Sequence, residues 1–294
     1  MCIVRIDGRD YTLQIRQQVE QSPESPRLIV VAYQPNEQAQ EVLRVCIRAV
    51  QHFTQEPHEL WIVDNNSPNN NAEWLLDFPE INVVLNHTEP LPPDKRSPWQ
   101  RLLKRKQYNY GSYANAIGLE IGRRMIDPDT HYLMTLHMDT MPCHRNWLAY
   151  LKSKINDKVR ATGVRMDTAR TPEGVLHVLG YLVDFQVFQQ LDLDFLPEHP
   201  RYDVGDRVTV GLRKAGYGVY ACPNSLWNPE LLESLPVDSP FRLFYMDRSF
   251  DDAGNVIFLH LGRGVRKSFG KEIKGTSPTE WVRFAEQYLF GTAS

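Results

Sequence analysis

Cysteine is scarce and scattered in this 294-residue chain: Cys2, Cys46, Cys143 and Cys222 form no C-x-x-C pair. That spacing argues against a disulfide framework or a cysteine-based zinc site and fits thiols packed as small hydrophobes in a reducing compartment. An excess of one charge is missing as well. The 33 basic and 36 acidic side chains leave a formal net charge of −3, so no global field recruits nucleic acid or an anionic membrane. Long hydrophobic runs are absent too: no stretch approaches the roughly 20 apolar residues of a membrane helix. The opening MCIVRIDGRDYTLQIRQ has no apolar core of signal-peptide length. The expectation is a cytoplasmic protein with no nucleic-acid partner and no transmembrane segment, peripheral contact with a membrane staying open. Internal repeats and low-complexity tracts are also lacking. What is there, 42% hydrophobic residues, is enough to bury a core without disulfide or metal staples.

Hydrophobic periodicity supplies the organisation. Residues 2–15 read as a small hairpin turning at Asp7-Gly8, after which Ser22, Pro23, Ser25 and Pro26 break the chain. Leu28 to Tyr33 is an apolar run suited to a buried strand. Over 37–53, Val42, Leu43, Cys46, Ile47, Val50 and Phe53 share one helical face. Further strands are expected at 60–63, 81–85 and 131–136. Helices are expected at 72–76, across Ala114, Ile117, Ile121 and Met125, and across Trp147, Leu148, Leu151 and Ile155. This alternation predicts an α/β fold, a Rossmann-like and largely parallel central sheet flanked by helices on both faces. The expected division is an N-terminal hairpin over 1–26, one main domain over 27–225, and a C-terminal extension with a basic lid loop over 226–294.

In such sheets ligands bind beyond the carboxyl ends of the strands. The first strand is followed by Ala32-Tyr33-Gln34-Pro35-Asn36, the second by Asp64-Asn65-Asn66-Ser67, and the fourth by His137-Met138-Asp139-Thr140-Met141-Pro142. These segments outline a nucleotide site, with Ala32, Tyr33, Gln34, Asp64 and Asn66 as candidates. Tyr33 can pack beside a base, and Asp64 can accept from a base N–H. Asp64 can equally cap the turn that follows it. His137 and Asp139 stand two apart, so in an extended segment they project to the same face. An imidazole and a carboxylate pointing together can hold Mn2+ or Mg2+ and leave positions for a diphosphate. The plain alternative is an ordinary strand-to-loop turn.

The ordered set Leu28-Ile-Val-Val-Ala-Tyr33, Trp61-Ile-Val-Asp-Asn-Asn-Ser67, Asn109-Tyr-Gly-Ser-Tyr-Ala-Asn-Ala-Ile-Gly118 and Leu136-His-Met-Asp-Thr-Met-Pro142 with Trp147-Leu148 resembles the nucleotide-sugar glycosyltransferases of the GT-A fold, particularly glycosyltransferase family 2. The similarity covers residues 27 to about 225. It implies that Ala32, Tyr33 and Asp64 contact the nucleoside and that Asp139 is the second acid of the D-x-D motif, the direct metal ligand. His137 takes the place of the first acid. That departure removes one negative charge, yet neutral imidazole is still a competent Mn2+ ligand. In the family the counterpart of 109–118 lies along the sugar-nucleotide pocket, which makes Asn115 a candidate there; packing of Asn115 against the sheet is the alternative.

The segment from Arg201 to Tyr217 resembles the family region in which an acidic cluster precedes a helix, and the resemblance implies that one acid there is the catalytic base. A helix from about Asp206 would use that residue as a cap or first-turn acid, leaving Asp203 freer to face the cleft. A strand ending at His260 is followed by Gly262-Arg263-Gly264 and the cations Arg266, Lys267, Lys271 and Lys274. Many metal-using GT-A members supply a late histidine as third ligand, the role that would fall to His260. Arg263 and Lys267 could close over a diphosphate, a solvated loop being the alternative. A second basic stretch, Lys95 to Lys106, shapes acceptor specificity or is simply solvated. Tyr181, Phe185, Phe188, Trp227 and Trp281 either stack on sugar rings or belong to the core.

The resulting expectation is a metal-dependent glycosyltransferase. It would move a sugar from a nucleoside diphosphate sugar to the hydroxyl of a glycan or glycolipid acceptor, with inversion as the resemblance implies. Two rivals stand beside it. A nucleotidyltransferase would ordinarily carry a Gly-rich basic loop after the first strand, where this chain has Gln34-Pro35-Asn36-Glu37. A non-catalytic nucleotide- or glycan-binding module is kept open by the histidine at 137.

Overall fold

Strand periodicity decides the layers. Leu28, Val30 and Ala32 face one core and Ile29 the other; Leu60 and Ile62 alternate with Trp61 and Val63 in the same way. Side chains two apart on a strand share a face, so a strand apolar at every position is coated on both sides. The structure, a computed structural model, describes residues 1–93, 99, 110–166, 171–243, 246–270 and 275–291. The basic stretch from Lys95 to Lys106 lies outside the described residues except for the exposed Trp99, and Lys271 and Lys274 lie outside them too.

Among the described residues one nine-stranded sheet is built from β1 (Cys2–Ile6), β2 (Arg9–Arg16), β3 (Arg27–Ala32), β4 (Glu59–Asn65), β5 (Asn82–Asn86), β6 (Tyr132–His137), β8 (Val159–Arg165), β9 (Leu176–Asp184) and β10 (Gly218–Cys222). The order is β1-β2-β5-β4-β3-β6-β9-β8-β10. The centre, β5-β4-β3-β6, is parallel, as is the β8–β10 edge pair. β9 runs against both of its neighbours, and the expected hairpin adds antiparallel to β5. The sheet is therefore mostly parallel in direction but mixed in pairing. A physical reason lies in the short link from Arg165 to Leu176, which turns the chain back where a parallel return would need a full crossover.

Helix α1 (Glu37–Phe53) lies on one face; α2 (Tyr110–Met125) and α5 (Asp206–Lys214) lie on the other, with α3 (Trp147–Ser153) joining α1 and α4 (Phe185–Gln190) joining α2. Asn36 caps α1, its side-chain oxygen accepting the Ala39 N–H at 3.1 Å. The segment expected as a helix at 72–76 is a 3-10 turn over Glu73–Asp77. A second sheet, β11 (Asp247–Phe250), β12 (Val256–His260) and β7 (Thr140–Pro142), is antiparallel in the order β11-β12-β7. It carries the chain's last third back to the end of β6. Tyr181, Phe185, Phe188 and Trp281 are fully buried core residues, whereas Trp227 is half-exposed. No helix among the described residues is long and apolar enough to cross a membrane.

Candidate metal centre

The central register levels the strand ends: Ala32 stands opposite Asp64, and Val31 opposite His137. After His137 the chain leaves the large sheet. Three residues on, at Thr140, β7 begins and pairs with β12, which sets Thr140 directly opposite His260. The Leu261 N–H donates to the Asp139 carbonyl at 2.9 Å. Sequence positions more than a hundred residues apart are thus stitched by backbone hydrogen bonds around Asp139.

The side chains converge there. His260 Nε2 lies 3.5 Å from Asp139 Oδ1, and His137 Nδ1 lies 3.9 Å from the same oxygen. One ligand atom from each of the three falls within 4.8 Å of the others. Donors bound to an ion at about 2.0–2.2 Å stand roughly 3–4 Å apart, so the group needs only small side-chain shifts to close on a metal. Two imidazoles and a carboxylate are competent donors for a divalent ion, and the residues fit that group.

Asp139 is held from its other side. Its Oδ2 accepts the Gly264 N–H at 2.8 Å, at the start of α6 (Gly264–Ser268). Gly262 and Arg263 both take positive φ, 69° and 59°, to bring that amide round. A Cβ on Gly264 would sit 2.8 Å from Asp139 Cβ, so glycine is required by the close approach.

Electrostatics sort the two candidate ligand histidines. Burial pushes His137 down to about 4, leaving it neutral at pH 7. Burial also opposes protonation of His260, but the Asp139 and Asp247 carboxylates outweigh it and raise the ring to about 9. Asp139 is buried, which alone would raise it; His260 and His137 instead hold it well below the usual carboxylate range. In the metal-free protein His260 and Asp139 are therefore an ion pair at neutral pH. A metal that binds through His260 must displace its proton, so affinity should climb about tenfold per pH unit throughout the range below about 9 and level off above it. Calorimetric titration of Mn2+ across that range, with proton release read from buffers of different ionisation enthalpy, checks this. The stability linkage has the opposite sign. A pKa raised from 6.5 to about 9 gives metal-free stability that is full below pH 6.5 and lost as pH rises through 9.

The remaining sequence candidates fall at defined places. Tyr33 is 41% exposed at the end of β3, open to pack on a ring, and Ala32 is buried. Asp64 is buried with both oxygens engaged: Oδ1 accepts from Ser67 Oγ and Gln34 Nε2, and Oδ2 from the Ser67 N–H. Its local turn-capping role is therefore filled, and desolvation raises its pKa. Gln34 is brought inside, its Oε1 accepting from Trp74 Nε1 at 2.8 Å. Asn66 takes left-handed φ in the following turn. Asn115 stands behind His137, its amide nitrogen 3.2 Å from Nε2. Rotation of that amide would put oxygen on Nε2 and leave Nδ1 free for a metal. Arg263 is exposed, but Lys267 is buried and its Nζ donates to the Leu261 carbonyl at 3.0 Å.

Asp206 falls in the first turn of α5, just after Gly205 at the N-cap. Asp206 is buried, and its Oδ2 accepts the Asp203 N–H at 2.8 Å. Asp203 is half-buried; its Oδ1 accepts the Val204 N–H, and among the described residues no donor reaches Oδ2. Burial pushes the His177 imidazole down to about 3, with the Asp203 carboxylate opposing the shift, and its ring meets His137 edge-on with centroids 5.2 Å apart. His177 and Asp247, which touches His260, escaped the sequence reading. An imidazole in the apolar run Leu176-His177-Val178-Leu179 was the available signal for the first; Asp247 had none.

No family model matches this sequence, and no curated protein does. Solved structures do. The galactosyltransferase LgtC in complex with donor and acceptor sugar analogs is similar over 88% of this chain and 95% of that one, at 13% identity and TM-score 0.49. The mannosyltransferase PcManGT from Pyrobaculum calidifontis in complex with GDP-Man and Mn2+ is similar over 67% of this chain, at 15% identity and TM-score 0.46. Residues 1–349 of S. aureus TarS are similar over 67% of this chain, at 10% identity and TM-score 0.40. The chain spans 54% of the mannosyltransferase and 60% of the TarS fragment. These are distant likenesses of fold.

Proposed function

We propose that the chain is a GT-A-type glycosyltransferase, one that transfers a sugar from a nucleoside diphosphate sugar to an acceptor hydroxyl with the help of a divalent metal. The observation that carries this reading is the convergence of His137, Asp139 and His260 at the carboxyl edge of a mostly parallel sheet. Ligands of open α/β sheets bind at that edge. A divalent ion held by the three side chains would supply positive charge to the oxygens of the departing diphosphate.

The protein's own groups do the rest. Tyr33 packs on the base, and the exposed Arg263 leans over the diphosphate from the turn that anchors Asp139. The acceptor oxygen attacks the anomeric carbon as the bond to the phosphate oxygen breaks. Asp203 takes the hydroxyl proton through its open oxygen. In-line attack gives inversion, and glycans or glycolipids are the acceptor class. Mn2+ is the favoured ion, and the division into a hairpin over 1–26, a catalytic domain over 27–225 and an acceptor-side extension over 226–294 belongs to the same reading.

Thermal unfolding against a panel of nucleoside diphosphates and their sugars, each with Mn2+ and with chelator, tests it. A ligand that binds the folded state stabilises it by mass action, about 2.7 kcal/mol at a hundred times Kd. Metal-dependent stabilisation by one nucleotide class is the expected outcome. Stabilisation by no nucleotide under either condition would overturn the reading.

A further inference from the structure

His260 is gripped from behind. Asp247 lies directly opposite it in the β11–β12 ladder, and its Oδ2 stands 3.2 Å from His260 Nδ1. An ionised carboxylate can only accept, so the proton of this contact sits on Nδ1. That leaves Nε2, the nitrogen 3.5 Å from Asp139 Oδ1, as the one whose lone pair can face a metal. The ring itself is 6% exposed, packed where it has little room to turn. Carboxylates placed in this way behind an imidazole fix both its tautomer and its orientation.

The donor set carries the argument further. Once His260 is locked, two of the three protein donors are imidazole nitrogens. Mg2+ demands near-octahedral oxygen ligands and gives up its waters reluctantly, whereas imidazole suits transition ions. A site with a single carboxylate offers Mg2+ little in exchange for its hydration.

We propose that Asp247 is a positioning residue which holds His260 as a metal ligand, and that the resulting two-imidazole, one-carboxylate centre takes transition-metal dications and refuses Mg2+. This rests on the reading that His137, Asp139 and His260 bind a dication. Affinity should rise from Mn2+ through Co2+ in the usual order for nitrogen-containing sites.

The test uses the full chain stripped of metal, titrated with Mn2+ while the paramagnetic resonance signal of free aquo-Mn2+ is followed, without nucleotide. Wild type should bind one Mn2+ that a large excess of Mg2+ fails to displace and that Co2+ displaces. Asp247→Ala should weaken Mn2+ binding about 10- to 100-fold, the usual effect of losing such a support. Asp247→Asn, which keeps an oxygen for the Nδ1 proton, should retain most of the affinity. Wild-type affinity in Asp247→Ala, an equal loss in the Asn and Ala variants, or displacement by comparable Mg2+ would overturn the inference while leaving metal-assisted transfer standing. Wild type that binds no dication would overturn both. The Mg2+ competition uses wild type alone and decides selectivity whether or not a variant folds.

Discussion

Asp139→Asn should abolish Mn2+ binding at micromolar concentrations and lower sugar transfer by about 10²–10³-fold or more, the scale on which enzymes lose a principal electrostatic stabiliser of the leaving group. Asp139 brings the sole negative charge among the three candidate ligands. Asparagine keeps an oxygen for the Gly264 N–H, so the turn that carries Arg263 stays seated. Asp139→Ala removes that acceptor as well and leaves a buried amide unpaired, at a cost of about 1–3 kcal/mol in stability. The comparison separates chemistry from folding. Asp139→Asn gives up the ion pair to His260, so a lowered but still cooperative melt without metal is expected, and a variant folded at the assay temperature with activity lost locates the effect at the metal. Full metal-stimulated transfer in Asp139→Asn would remove the metal from the account.

Asp203→Asn should lower turnover by about 10²–10⁴-fold, the range of a lost general base, while leaving the donor KM close to wild type. The Asp203 oxygen that accepts the Val204 N–H is retained in asparagine, so the loop into α5 keeps its shape. Asp206→Asn should behave differently. Asp206 is buried against the Asp203 backbone, and weakening that contact should lower thermal stability before it lowers turnover. Steady-state kinetics beside melting curves for the two variants distinguish the roles. Unchanged turnover in Asp203→Asn would move the base elsewhere.

The site was legible in the sequence where its signal was local. His137-x-Asp139 lies at a strand end, and two-residue spacing places both side chains on one face without knowledge of the rest of the fold. His260 closes an apolar strand followed by a glycine-bounded turn, and it arrives at Asp139 through β12. Asp206 falls in the first turn of α5, as the rule that carboxylates favour that turn expects, although Gly205 is the N-cap and the Asp206 carboxylate accepts the Asp203 N–H. What stayed hidden depends on pairing between distant strands. Asp247 supports His260 only because β11 and β12 place them opposite one another, and nothing about Met246-Asp247-Arg248 announces it. The antiparallel entry of β9 brings His177 beside His137 by the same long-range route. Charge runs mislead for a related reason. Lys267 reads as a lid cation beside Arg263 and Arg266, but one turn of helix carries its ammonium inward onto the Leu261 carbonyl.

The most direct measurement is an anomalous difference map from crystals of the chain grown with Mn2+ and a nucleoside diphosphate. The account expects one strong peak within bonding distance of Asp139 Oδ1, His260 Nε2 and a His137 ring nitrogen, with diphosphate oxygens completing the shell. A map in which those three side chains surround no peak, while the nucleotide sits elsewhere or binds without metal, would contradict it.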